Sequence, residues 1–136
     1  MQRYHVAVIS RSRYAAGVTW EVRYTDQFEE WWDQLGEDAQ DAVAARVELL
    51  EAFGPSLGRP SVDQITTSRH QNMKELRASS EGSLRVLFAF DPAQEAILLI
   101  GGNKTGQWSQ WYAEMVPLAD DLFDEHLKML EGRGRN

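Results

Sequence analysis

A chain of 136 residues with 43% hydrophobic and 26% charged side chains has the size and composition of one ordinary globular domain, long enough to bury about two-thirds of its unfolded surface. With no cysteine, disulfides, thiolate metal ligands and cysteine nucleophiles are excluded, which fits a reducing cytosol. The net charge of −7 argues against a protein that coats naked nucleic acid, because such binding runs on phosphate neutralisation.

The first 18 residues read as an N-terminal extension, basic at Arg3, Arg11 and Arg13, with no apolar core of a secretory signal. Val6-Ala7-Val8-Ile9 could form a brief strand in that loose arm. No apolar run approaches the roughly 18 residues of a membrane span, so the expectation is a cytoplasmic protein without membrane contact. The compact domain is expected over residues 19–131, followed by a tail at 132–136. It opens on a strand in which Trp20, Val22 and Tyr24 alternate with Glu21 and Arg23, the period of a half-buried strand.

Thr25 and Asp26 are N-cap candidates, and Glu29 stands three residues after Asp26 as in a capping box. Phe28, Trp31, Trp32 and Leu35 follow at helical spacing and share one face. Gly36 breaks that helix. Glu37, Asp38 and Asp41 suit the positive end of a second, whose stripe is Val43, Val47 and Leu50 and which Gly54-Pro55 ends. Residues 26–54 carry nine acids and one base, so this helical hairpin has an acidic outer surface.

Residues 54–68 read as loop. Glu75–Ala78, Leu84–Phe90 and Ala96–Ile100 then read as three strands, with turn signals at Ser79–Ser83 and Asp91-Pro92. The short links make them an antiparallel meander. Residues 108–130 read as a helix that Pro117 should kink or restart. The order β-α-α-β-β-β-α predicts a two-layer α+β domain: an antiparallel sheet, an N-terminal helical hairpin and a C-terminal helix.

Residues 64–110 hold five of the chain's fourteen Lys and Arg residues against four acids, a locally basic stretch in an acidic chain. On successive antiparallel strands, Arg77 and Arg85 can face one surface, with Lys104 entering from the loop after the third strand. Lys74 has the opposite parity to Arg77, so a regular strand points the two to opposite faces. Arginine forks match phosphate oxygens and lysine adds a mobile charge, which suits a phosphodiester. Composition alone is equally served by surface cations paired with Glu75, Glu81 or Glu95. Tyr112 and His70 are candidate proton-transfer groups, Tyr112 on condition that cations lower its pKa. The alternatives are a helix-anchoring aromatic beside Trp108 and Trp111, and an exposed, inert histidine. Gly101–Gly106 lacks the Lys-Ser/Thr of a P-loop. The scattered His5, His70 and His126 offer no metal-ligand spacing, and Asp120, Asp121, Asp124 and Glu125 read as a solvated helix face.

Trp20–Thr25, the Trp31-Trp32 helix, Ser68–Arg77 with its Lys-Glu-Leu-Arg, Leu84–Asp91 and Leu98–Gly106 with its Gly-Gly-Asn-Lys together resemble the phage-derived Gp49-like, or HigB-like, branch of the RelE/ParE toxin superfamily. The resemblance covers about residues 19–130. It implies the toxin of a type II toxin–antitoxin system: an endoribonuclease that cleaves mRNA, often on the ribosome, without metal or other cofactor, and is held inactive by an antitoxin with a helix-turn-helix domain. By position it implies Arg77 and Arg85 at the scissile phosphate, Lys104 and Tyr112 as further catalytic groups, and Arg69, His70 and Lys74 as substrate-binding residues. The superfamily also contains toxins that inhibit DNA gyrase without cutting RNA. A degenerate toxin kept only for binding is a third alternative.

Overall fold

The computed structural model describes residues 4–6, 20–103 and 108–134. Lys104 and nearly all of the 1–18 extension lie outside the described residues. In chain order the elements are β1 (Tyr4–Val6), β2 (Glu21–Thr25), α1 (Asp26–Asp33), α2 (Glu37–Phe53), a short 3-10 turn (Gly54–Ser56), β3 (Val62–Gln64), β4 (Met73–Ser79), β5 (Ser83–Phe90), β6 (Glu95–Asn103) and α3 (Trp108–Gly134).

Six strands form one sheet in the order β1-β2-β6-β5-β4-β3. The β4-β5-β6 meander is antiparallel, as expected. The sheet as a whole is mixed, because β2 lies parallel to β6 with Val22 opposite Ala96 and Tyr24 opposite Leu98. Two strands were read as loop or arm: β3 pairs antiparallel with β4, and β1 pairs antiparallel with β2, placing part of the extension in the sheet. Each is three residues long, too short for alternation to register.

The α+β class stands, but the layering corrects the two-layer expectation. One core joins Val22, Phe28, Val43, Val47, Leu50, Leu76, Val86, Phe88 and Leu98 on the α1/α2 face. A second joins Met73, Leu87, Ala89, Ile97, Leu99, Val116, Ala119 and Phe123 under α3. Alternate residues of β4, β5 and β6 feed the two cores, so helices cover both faces of the sheet. Near-continuous apolar strands require that double cover.

Thr25 is the N-cap of α1: its hydroxyl oxygen accepts from the Phe28 N–H at 3.1 Å while its O–H donates to the Leu99 carbonyl at 2.7 Å. One side chain thus starts the helix and ties it to the central strand. α3 runs through Pro117 without restarting and continues to Gly134, into the segment expected as a tail. Its C-terminal half is anchored by His126, whose Nε2 lies 2.6 Å from the Asp91 carboxylate, both side chains being buried. The other Asp91 oxygen accepts from the Ala93 and Glu95 N–H groups and shapes the β5–β6 turn.

Candidate active site

Arg77 of β4 and Arg85 of β5 are direct cross-strand partners. Two guanidiniums so placed repel unless an anion lies between them. Glu75 supplies it. Two residues before Arg77 on the same strand, it has the same parity and faces the same side. Its carboxylate is 3.3 Å from the Arg77 guanidinium and 3.4 Å from that of Arg85, with only 4% of the side chain exposed. Arg77 also reaches Asp63 of β3 at 3.1 Å. The Asp63 carboxyl is held below its usual range, first by Arg59 and to a smaller extent by Arg77.

The start of α3 closes over this group. The Tyr112 hydroxyl donates to Glu75 at 2.5 Å, and the Arg85 guanidinium lies 5.5 Å from the centre of the Trp108 ring. Trp108, Trp111 and Tyr112 pack edge-on or tilted against one another. Gly102, paired with Arg85 in the register, makes that approach possible: a Cβ there would fall 2.3 Å from Trp111 Nε1. Gly101 does the same on the opposite face for Trp31.

Burial and the Glu75 carboxylate push the Tyr112 phenol up to about 12, with Arg85 pulling weakly the other way. Tyr112 is therefore a protonated donor at neutral pH, not the base that a cation-lowered pKa would make it. The folded chain holds this proton more tightly than the unfolded one. Tyr112 thus contributes stability that is complete below pH about 10 and is lost as pH climbs through about 12. Phenol titration by absorbance or ring-carbon NMR should show one tyrosine ionising near pH 12, and Glu75→Gln should bring that transition down.

Among the sequence-derived residues, Arg77, Arg85 and Tyr112 converge, and Lys104 lies outside the described residues. Lys74 is on the opposite face, 5.5 Å from the centre of the Phe90 ring, as parity requires. Arg69 and His70 are held elsewhere. Arg69 pairs with Asp121 at 2.7 Å and with Asp124 and Asp120. His70 Nε2 lies 2.7 Å from Asp124 and its ring packs edge-on against Phe123. Asp120 and Asp124 are eight and twelve residues beyond Tyr112 on α3, about 12–18 Å along the axis.

The reading of Asp120, Asp121, Asp124 and Glu125 as a solvated face holds for the exposed Asp121 and Glu125 and is corrected at Asp120 and Asp124. Asp120 is buried and accepts from the Ser68 hydroxyl and the Arg69 N–H, so these acids clamp the β3–β4 loop to α3. The Asp124 carboxyl lies below its usual value, mainly through Arg69 and then through His70. His70 is correspondingly neither free nor fully exposed.

Sequence reasoning brought Arg77 and Arg85 to one surface but missed the anion between them. Glu75 entered only as a competitor for surface cations, although its parity with Arg77 already put both on one face. The Nε atoms of Arg77 and Arg85 are buried with no hydrogen-bond partner among the described residues, so neither fork is fully spent on Glu75 and Asp63. Such a pair can take an anion's oxygens.

The profile of the phage-derived Gp49-like proteins matches residues 30–124. A Mycobacterium tuberculosis (strain ATCC 25618 / H37Rv) protein provisionally named toxin HigB2 is 44% identical over 132 residues, covering 96% of this chain and 66% of the relative. A second from the same strain, provisionally named toxin HigB3, is 47% identical over 108 residues, covering 79% of this chain and 94% of the relative. The chain thus spans about two-thirds of the length of HigB2, and that alignment reaches into the first 18 residues. With most of its length matched by the profile and HigB3 matched almost end to end, the chain belongs to the phage-derived Gp49-like family of HigB-like proteins.

Proposed function

We propose that the chain is the toxin of a toxin–antitoxin pair and acts as an endoribonuclease on mRNA, on the ribosome. The toxin designation of its relatives supports the first half. The observation that carries the second is the cross-strand Arg77–Arg85 pair with Tyr112 hydrogen-bonded beside it. RNA brings its own nucleophile: the 2′-hydroxyl gives up its proton to water as its oxygen attacks the adjacent phosphorus, a 2′,3′-cyclic phosphate forms, and the 5′-oxygen leaves as a hydroxyl with a proton from the protein that solvent then restores. The protein then has two tasks, to stabilise charge gathering on the phosphorus oxygens and to manage protons. Arg77 and Arg85 serve the first. Tyr112, protonated at neutral pH, serves the second as a donor toward the leaving oxygen, and Lys104 is assigned to the same phosphate by its place after β6.

Two arginines set against two carboxylates, in a chain of net charge −7, attract free RNA weakly. That balance favours a substrate positioned by a larger assembly. The partner proposed for silencing is an antitoxin covering this face with an acidic or amphipathic segment. Induced expression should arrest growth, and transcript-end mapping should reveal new internal 5′ ends. Arrest with intact transcripts and blocked gyrase supercoiling would replace this reading with gyrase inhibition.

A further inference from the structure

We propose that Glu75 is an internal stand-in for the substrate phosphate: its carboxylate holds Arg77, Arg85 and Tyr112 in their working arrangement while masking the charge of the empty site. The inference deepens the nuclease reading and rests on it for the identity of the anion, an RNA phosphodiester.

Three observations carry it. Among the described residues Glu75 is the group that touches all three of the others, through Arg77 at 3.3 Å, Arg85 at 3.4 Å and the Tyr112 hydroxyl at 2.5 Å. It is also buried at 3% exposure, so its charge is poorly screened and acts strongly on its neighbours. Finally, its two arginine contacts are long for charge-assisted hydrogen bonds: the Arg85 contact runs through an Nε that makes no hydrogen bond, and the Arg77 Nε likewise has no hydrogen-bond partner among the described residues. A carboxylate added only for stability would be expected to engage the forks closely. This one leaves both forks incompletely satisfied.

Two consequences of opposite sign follow. The carboxylate competes with phosphate for the guanidiniums, so it lowers affinity. It also fixes the Tyr112 hydroxyl and the two forks, so it raises turnover. Glu75 is therefore a positioning residue that acts through Arg77, Arg85 and Tyr112. Neutralising it separates the two effects, which loss of fold or simple damage to packing would not do.

The experiment compares wild type with Glu75→Gln and Glu75→Asp, using a single-stranded RNA oligonucleotide for binding and a translated mRNA for turnover. Arg77 keeps Asp63 and Arg85 keeps the Leu84 carbonyl as partners in either variant, and thermal melts check the fold. E75Q should bind the oligonucleotide about tenfold more tightly, with a salt dependence steeper by about 0.7 for each phosphate gained. Its turnover should fall by about tenfold or more. E75D retains the charge but withdraws the carboxylate from Tyr112, so turnover should fall while affinity stays near that of wild type. Unchanged or weaker RNA binding by folded E75Q overturns the proposal, whatever happens to cleavage. Tighter oligonucleotide binding by E75Q, with no RNA cut by either E75Q or wild type, would remove the nuclease reading and leave the masking role standing.

Discussion

Arg85→Ala should lower RNA cleavage by about 10²–10³-fold, the usual cost of deleting one preorganised donor aimed at developing oxyanion charge, and should release the growth arrest. Arg85 carries the largest expected effect because its side chain is only 18% exposed. It is held between Glu75 and the Trp108 ring, and its NH1 donates to the Leu84 carbonyl. Its geometry is thus fixed before substrate arrives. Arg77→Ala should have the same sign and a smaller size: this guanidinium is 35% exposed and is shared with Asp63. Both variants should remain folded, since neither arginine contributes to the two apolar cores. Primer extension on a reporter transcript, alongside a thermal melt, reads both. Full cleavage by either folded variant would place the chemistry elsewhere.

Gly102→Ala should destabilise by about 3 kcal/mol, a fall in melting temperature on the order of ten degrees. The cause is space, since the added Cβ would sit 2.3–2.6 Å from three atoms of the rigid Trp111 indole. Relief requires the first turns of α3 to lift from the sheet, and Tyr112 rides on those turns with its hydroxyl on Glu75. Stability and turnover should therefore fall together. Gly132→Ala, on α3 where no atom lies within 4 Å of the added Cβ, is the control: it should leave turnover unchanged and, as Gly→Ala in a helix, at most raise stability slightly. A Gly102→Ala protein with wild-type melting and activity would contradict the seating of α3 on β6.

Much of this architecture was legible because strong local signals agreed with tertiary packing. Of the two N-cap candidates Thr25 and Asp26, Thr25 caps α1, and Gly36 and Gly54 bound α2. The meander strands extend the expected segments by a few residues at most. Three features resisted. The strands β1 and β3 are three residues each and are defined by pairing with β2 and β4, which no local pattern reports. The parallel β2–β6 contact joins segments some 70 residues apart, and nothing in either strand announces its direction. The second layer of helix was visible in hindsight, in the unbroken apolar runs of β5 and β6, which make sense only with cover on both faces.

The site divides along the same line. Parity along β4 separated Lys74 from Arg77 correctly, because strand alternation is a local rule. Arg69 and His70 looked available because the acids that bind them lie 50 to 55 residues later, and Asp120, Asp121 and Asp124 resemble an ordinary exposed helix face when read alone. Tyr112 shows the limit most plainly. A role as base required cations to lower its pKa, whereas burial and the contact with the Glu75 carboxylate raise it.

The central claim is that the two guanidiniums and the half-buried Tyr112 surround a scissile RNA phosphate, and the chemistry of the severed ends tests it most directly. Transcripts cut in a translating extract should carry a 2′,3′-cyclic phosphate on one side and a 5′-hydroxyl on the other, with both ends disappearing for Arg85→Ala. Ends bearing a 5′-phosphate and a 3′-hydroxyl, or cutting that persists undiminished when Arg77 and Arg85 are both replaced by alanine in a folded protein, would contradict it.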